Sequence, residues 1–163
     1  IVFENMLDAG AKSEIFAHHE PLPEIDKATL LDEEDANNPL FSLLSESKMR
    51  LLPETKKLSR QPAYRLLLHT AWLQKREVSK LIRIENQPQS QDSPHIDGTI
   101  NVTQGRHYYN LSVHLSFTPK LGFLEKSPKP FILKQKRRVK SDEISYLDHP
   151  KFGVLVLIHP VMS

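Results

Sequence analysis

The chain has 163 residues, 39% of them apolar and 26% charged, and no cysteine. That length suits one domain over residues 1–163; the lack of cysteine excludes disulfides, thiolate nucleophiles and Cys-based zinc sites, and no apolar run is long enough for a membrane-spanning helix. The net charge of +2 conceals a segregation: residues 1–63 hold 7 basic against 12 acidic side chains, net −5, and residues 64–163 hold 15 against 8, net +7. Either the basic part meets an anionic partner, or the acidic part lies over it.

In chain order, Ile1 to Asn5 read as the end of a strand. The chain opens without a methionine or a basic, apolar signal segment, so we take it as a processed or trimmed product, from which any export signal would be lost from view. Residues 8–42 are rich in Asp, Glu, Pro and Asn, centred on Asp32-Glu33-Glu34-Asp35, and predict a long surface excursion. Short helical pieces are expected at 12–18 and 42–50, and a firmer helix at 53–61, with Pro53 at its first position and Pro62 ending it.

From Tyr64 the pattern is β-like. Tyr64 to Gln74 carries apolar groups on both faces, which predicts a single interior strand. Leu81 to Glu85 is a short strand, 86–95 a polar loop, and Thr99 to Thr103 a strand opened by Asp97-Gly98. Arg106 to Phe117 alternates most cleanly: His107, Tyr109, Leu111, Val113, Leu115 and Phe117 on one face, Asn110 and Ser112 on the other. Residues 118–130 form a loop, Phe131 to Lys140 a strand with Lys134, Lys136, Arg138 and Lys140 on one face, and 153–159 an apolar strand inside a sheet. The predicted class is α+β: an antiparallel β-sheet domain with a few short helices in the N-terminal third, an acidic, variable excursion over 8–50, and a β core over 64–163.

The stretch 137–153, RRVKSDEISYLDHPKFG, packs a dense polar cluster against that last apolar strand. Together with Tyr64-Arg65 through His69-Thr70-Ala71-Trp72 and Gln74, and with Gly98-Thr99 followed by the aromatic strand, it resembles the CsiV family of periplasmic peptidoglycan-binding proteins. Ile1 to Asn5 resemble the family's first mature strand. Two positions depart from the resemblance: Ser145 stands where it would imply a histidine, and Asn110 where the aromatic strand often has one. The resemblance implies a non-enzymatic periplasmic protein that binds the cell wall. It also implies cooperation with an outer-membrane lipoprotein that activates a class A penicillin-binding protein.

Peptidoglycan presents sugar faces and peptide carboxylates. Aromatic rings suit the first, and Arg or Lys the second. Arg106, Tyr108, Lys134, Lys136, Arg138, Lys140, Trp72 and Tyr146 are the candidate binding groups, with Trp72 better explained by core packing. Arg137, Glu143, Asp148 and His149 read as a structural motif. Adjoining Arg137 and Arg138 point to opposite faces, so one of them is free to pair with Glu143 or Asp148. Asp148-His149-Pro150 suits a turn in which Asp148 accepts backbone N–H groups. The histidines, including His18-His19 in the acidic part, show no metal-ligand spacing, and no cofactor is implied. Two alternatives stand beside wall binding: a wall hydrolase using Glu143, Asp148 or His149, and a nucleic-acid-binding domain using Lys134, Lys136, Arg138 and Lys140.

Overall fold

The computed structural model describes residues 1–7, 21–30, 41–90, 92–120 and 129–161. The helix expected at 12–18, the acidic centre at 32–35, His18-His19 and most of the loop at 118–130 lie outside the described residues. The rest forms mostly antiparallel β-structure with one α-helix among the described residues.

A four-stranded antiparallel sheet has the order β10 (Ser145–His149), β11 (Phe152–Val156), β1 (Val2–Asn5), β4 (Tyr64–Leu68). A five-stranded sheet has the order β2 (Thr29–Leu30), β6 (Ile82–Glu85), β7 (His95–Gln104), β8 (Tyr109–Thr118), β9 (Phe131–Val139). In the second sheet only the short β2–β6 pair is parallel. A two-stranded piece joins β3 (Phe41–Leu43) to β5 (Trp72–Gln74), and α1 spans Leu52–Ser59.

The alternation that begins the β8 region places Leu111, Val113, Leu115 and Phe117 in the core at 1% exposure or less, while Asn110 is exposed and Ser112 half-buried. These side chains meet Leu147, Phe152 and Val154 of the other sheet in one cluster. Burying each such side chain contributes roughly 1.5–3 kcal/mol, so the shared core holds the two sheets together. The apolar C-terminal strand is interior as expected, paired by β10 on one side and β1 on the other.

Several boundaries differ from the sequence reading, each for a local reason. Tyr64 to Gln74 is two strands, broken at 69–71: β4 joins the four-stranded sheet and β5 turns away to pair with β3. β4 is an edge strand, and its apolar second face is explained by α1, which brings Leu51 and Leu58 against Tyr64 and Leu66. The helix expected within 42–50 is a 3-10 turn at Glu46–Lys48 preceded by β3. β7 runs through Gly98 rather than starting after it. A Cβ there would lie 2.2 Å from the His114 carbonyl oxygen, so this glycine marks a close approach of β8, not a turn.

Candidate functional site

The basic strip lies on β9, at one edge of the five-stranded sheet. Lys134, Lys136 and Arg138 are exposed on its outer face, registered against His114, Ser112 and Asn110 of β8. The Arg138 guanidinium sits 4.8 Å from the centre of the Tyr108 ring, a cation–π contact that holds the arginine over the sheet. β8 starts at Tyr109, not Arg106: the Gly105 N–H bonds to the Tyr108 carbonyl at 2.7 Å and closes a turn. His107 is therefore exposed in that turn instead of continuing the core face, and Arg106 is exposed beside it. Lys140 is exposed just beyond β9, 3.7 Å from Glu143.

A strap from the acidic part of the chain lies on the same sheet. The Pro21 carbonyl accepts from His114 Nε2 at 2.8 Å, and Thr29 donates to the Leu81 carbonyl at 2.8 Å where β2 joins β6. Between these anchors a 3-10 turn at Ile25–Lys27 carries Asp26 and Lys27. Glu24 is held below its ordinary pKa chiefly by its hydrogen bond to Lys27, with smaller help from Lys134 and His114. A cleft of about 460 Å³ separates the strap from His95, Asp97 and Ser116. Asp97 takes a two-pronged bond from Arg83 at 3.1 and 3.0 Å. Among the described residues of the acidic part, this strap brings Glu24 near Lys134 and Asp26 near Arg83 of the basic part.

The block at 137–153 closes the gap between the two sheets. β9 and β10 are both edge strands. Arg137 Nη1 donates to the Tyr146 carbonyl, and Gln135 Nε2 donates to the Asp148 carbonyl at 3.3 Å. Arg137 thus serves as the structural arginine, but through a backbone carbonyl and not through Glu143 or Asp148. Glu143 sits with Lys140, both exposed. Asp148 is exposed and accepts from the Tyr146 hydroxyl at 2.7 Å instead of from turn N–H groups. The turn is tied by His149, which is 7% exposed, accepts from the Lys151 N–H at 3.1 Å, and packs on Phe131 and Phe152. Adjacent positions on β10 place Asp148 outward and His149 inward. Glu143, Asp148 and His149 therefore do not converge.

The remaining candidates fall on separate surfaces. Trp72 packs against the inter-sheet core and its indole N–H meets Gln74 Oε1 at 3.3 Å. His69 reaches Thr55 of α1 through Nδ1 at 3.1 Å, and burial holds it below its ordinary pKa. Tyr146 lies on the outer face of the four-stranded sheet, 44% exposed, its phenol pushed up to about 12 by burial and by the bond to Asp148.

A family model described as "Peptidoglycan-binding protein, CsiV" matches residues 7–161. The chain belongs to the CsiV family. No curated protein and no solved structure matches it. Of this CsiV chain's two departures, Asn110 lies outward beside Arg138, and Ser145 shares the inward side of β10 with Leu147 and His149. The two positions do not face one surface. Sequence reasoning missed the strap at 21–30 and the role of Gln135. Pro21 and Pro23, just ahead of the turn that carries Glu24 and Asp26, were the available signal for the strap; Gln135 had none.

Proposed function

We propose that this CsiV protein is a non-enzymatic, periplasmic binder of peptidoglycan. Its contact surface is the basic strip of Lys134, Lys136, Arg138 and Lys140 on β9 and just past it, with Arg106 and Tyr108 at the adjoining turn. It supports wall synthesis through an outer-membrane lipoprotein that activates a class A penicillin-binding protein, a link that rests on the family resemblance alone. The single observation that carries the wall-binding reading is the family match over residues 7–161. The exposed row of cations opposite a neutral strand supplies the chemistry.

Each exposed charge contact is weak, worth about 0–1 kcal/mol. Affinity would come from repetition along a polymer. The divergence of Glu143, Asp148 and His149 supports binding over hydrolysis, since acid/base chemistry needs groups that meet one reacting atom. The test is co-sedimentation of the purified chain with intact sacculi across a salt series, beside titration with a soluble monomeric muropeptide. Sacculus binding that is much the tighter of the two and weakens with salt is expected. No pelleting at low salt would overturn the reading. Retention of the lipoprotein activator on the immobilised chain tests the partner.

A further inference from the structure

On the outer face of the four-stranded sheet an aromatic ring lies against bare backbone. Gly153 has no Cβ; one placed there would come within 2.7 Å of Tyr146 Cε2 and 2.6 Å of Phe3 Cζ. The two rings therefore reach over this glycine from either side, nearly parallel at 11°, with centroids 6.2 Å apart. Phe3 is buried at 5% exposure, whereas Tyr146 is 44% exposed. The Tyr146 hydroxyl is tethered to Asp148, which fixes the ring's tilt and leaves an exposed carboxylate at its rim. Ile144, 47% exposed, lies just before β10, two residues from Tyr146.

We propose that Tyr146 is a stacking platform for the pyranose rings of a β-1,4-linked N-acetylhexosamine strand, with Asp148 accepting from a sugar hydroxyl or acetamido N–H. The inference rests on the wall-binding reading and assigns it a second subsite. The C–H face of a pyranose is weakly positive and meets the negative face of an aromatic ring. A preset ring loses little conformational entropy on binding. Asp148 selects the class of ligand: a carboxylate takes neutral donors and repels the carboxylates of the stem peptides. Arg137 is turned to the seam, with Nη1 on the Tyr146 carbonyl. The wall's two chemistries are then divided: glycan on the Tyr146 face, peptide carboxylates on the β9 strip of the other sheet.

The probe is chitotetraose, the β-1,4 tetramer of N-acetylglucosamine, which carries no peptide and no charge. Titrated into the full chain and followed by NMR, it should shift the Tyr146 ring and the amides of Ile144 and Gly153. Tyr146→Phe should keep most of the affinity, and Tyr146→Ala should lose about tenfold, the size of one good aromatic contact. Tyr146→Leu keeps an apolar cover over Gly153 and should melt near the parent while binding as poorly as Tyr146→Ala. No shift at millimolar tetramer, shifts confined elsewhere, or a folded Tyr146→Leu protein that binds like the parent would overturn the platform. Sacculus pelleting of the same preparations separates the two readings. A parent that pelleted yet ignored the tetramer would overturn the platform and leave wall binding standing. A parent that failed to pellet would sink wall binding, while shifts at Tyr146 would still support the platform.

Discussion

Arg137 donates from Nη1 to the backbone carbonyl of Tyr146, across the line where the edge strand of one sheet meets the edge strand of the other. Its neighbour Arg138 turns the opposite way and lies over Tyr108 on the outer face. Both side chains are exposed, but one arginine bridges the two edge strands and the next lies on the outer face. Their substitution should separate stability from binding. Arg137→Ala should cost roughly 1–2 kcal/mol in denaturant unfolding, toward the low end for a hydrogen bond to a charged group because the contact is exposed, and leave sacculus binding intact once folded. Arg138→Ala should change stability by less than about 1 kcal/mol and weaken binding. The reverse pattern would exchange their roles.

The neighbouring pair Asp148 and His149 should behave just as unequally. His149 is buried between Phe131 and Phe152 and ties the turn to β11. His149→Ala should destabilise by about 2–4 kcal/mol through lost packing and a lost turn bond. Asp148 is exposed and loses one bond to a phenol, so Asp148→Ala should cost about 1 kcal/mol or less. Melting curves of the two variants check this ordering directly.

Where side chains repeat with period two, the sequence was enough: the inward set of β8 is legible because a half-buried strand must alternate. β10 was not, because five residues give it only Leu147 and His149 as a fully buried set, and Asp148-His149-Pro150 carries turn chemistry. The length of β7 was hidden by Gly98, which reads as punctuation but answers to the approach of the β8 backbone. The seam escaped for a deeper reason. Arg137 and Gln135 bond to main-chain carbonyls, and every residue has one, so no pairing of residue types betrays the contact. The basic strip was visible as a spacing; its partial cover by the strap at 21–30 depends on tertiary approach.

That cover should compete with an anionic ligand. Glu24 sits where Lys134 and His114 both act on its carboxylate, and Asp26 likewise acts on Arg83. Glu24→Gln with Asp26→Asn should tighten sacculus binding severalfold at low salt, and the gain should fade as salt screens the exposed charges. Unchanged or weaker binding would show that the strap does not oppose the ligand.

His69 predicts a pH dependence of the contact between α1 and β4. Burial is the main cause that lowers its pKa from 6.5, with the chain's amino terminus adding to the shift and Glu46 opposing it. The unfolded chain therefore takes up the proton more readily than the folded one. The stabilisation is complete above about pH 6.5 and is lost as pH falls below it. His69→Gln should reduce the drop in melting temperature between neutral pH and mildly acidic pH. An equal drop in both proteins would remove His69 as its source.

Binding of the strip to the wall is tested most directly by reversing two of its charges. Lys136 and Arg138 are exposed and stand on one face of β9, so Lys136→Glu with Arg138→Glu should leave a folded protein, checked by its melting curve. Co-sedimentation with intact sacculi at low salt is then compared with the parent. The account predicts that most of the pelleted fraction is lost and that what remains is less sensitive to salt than in the parent. A folded double variant that pelleted like the parent, with the same salt dependence, would contradict it.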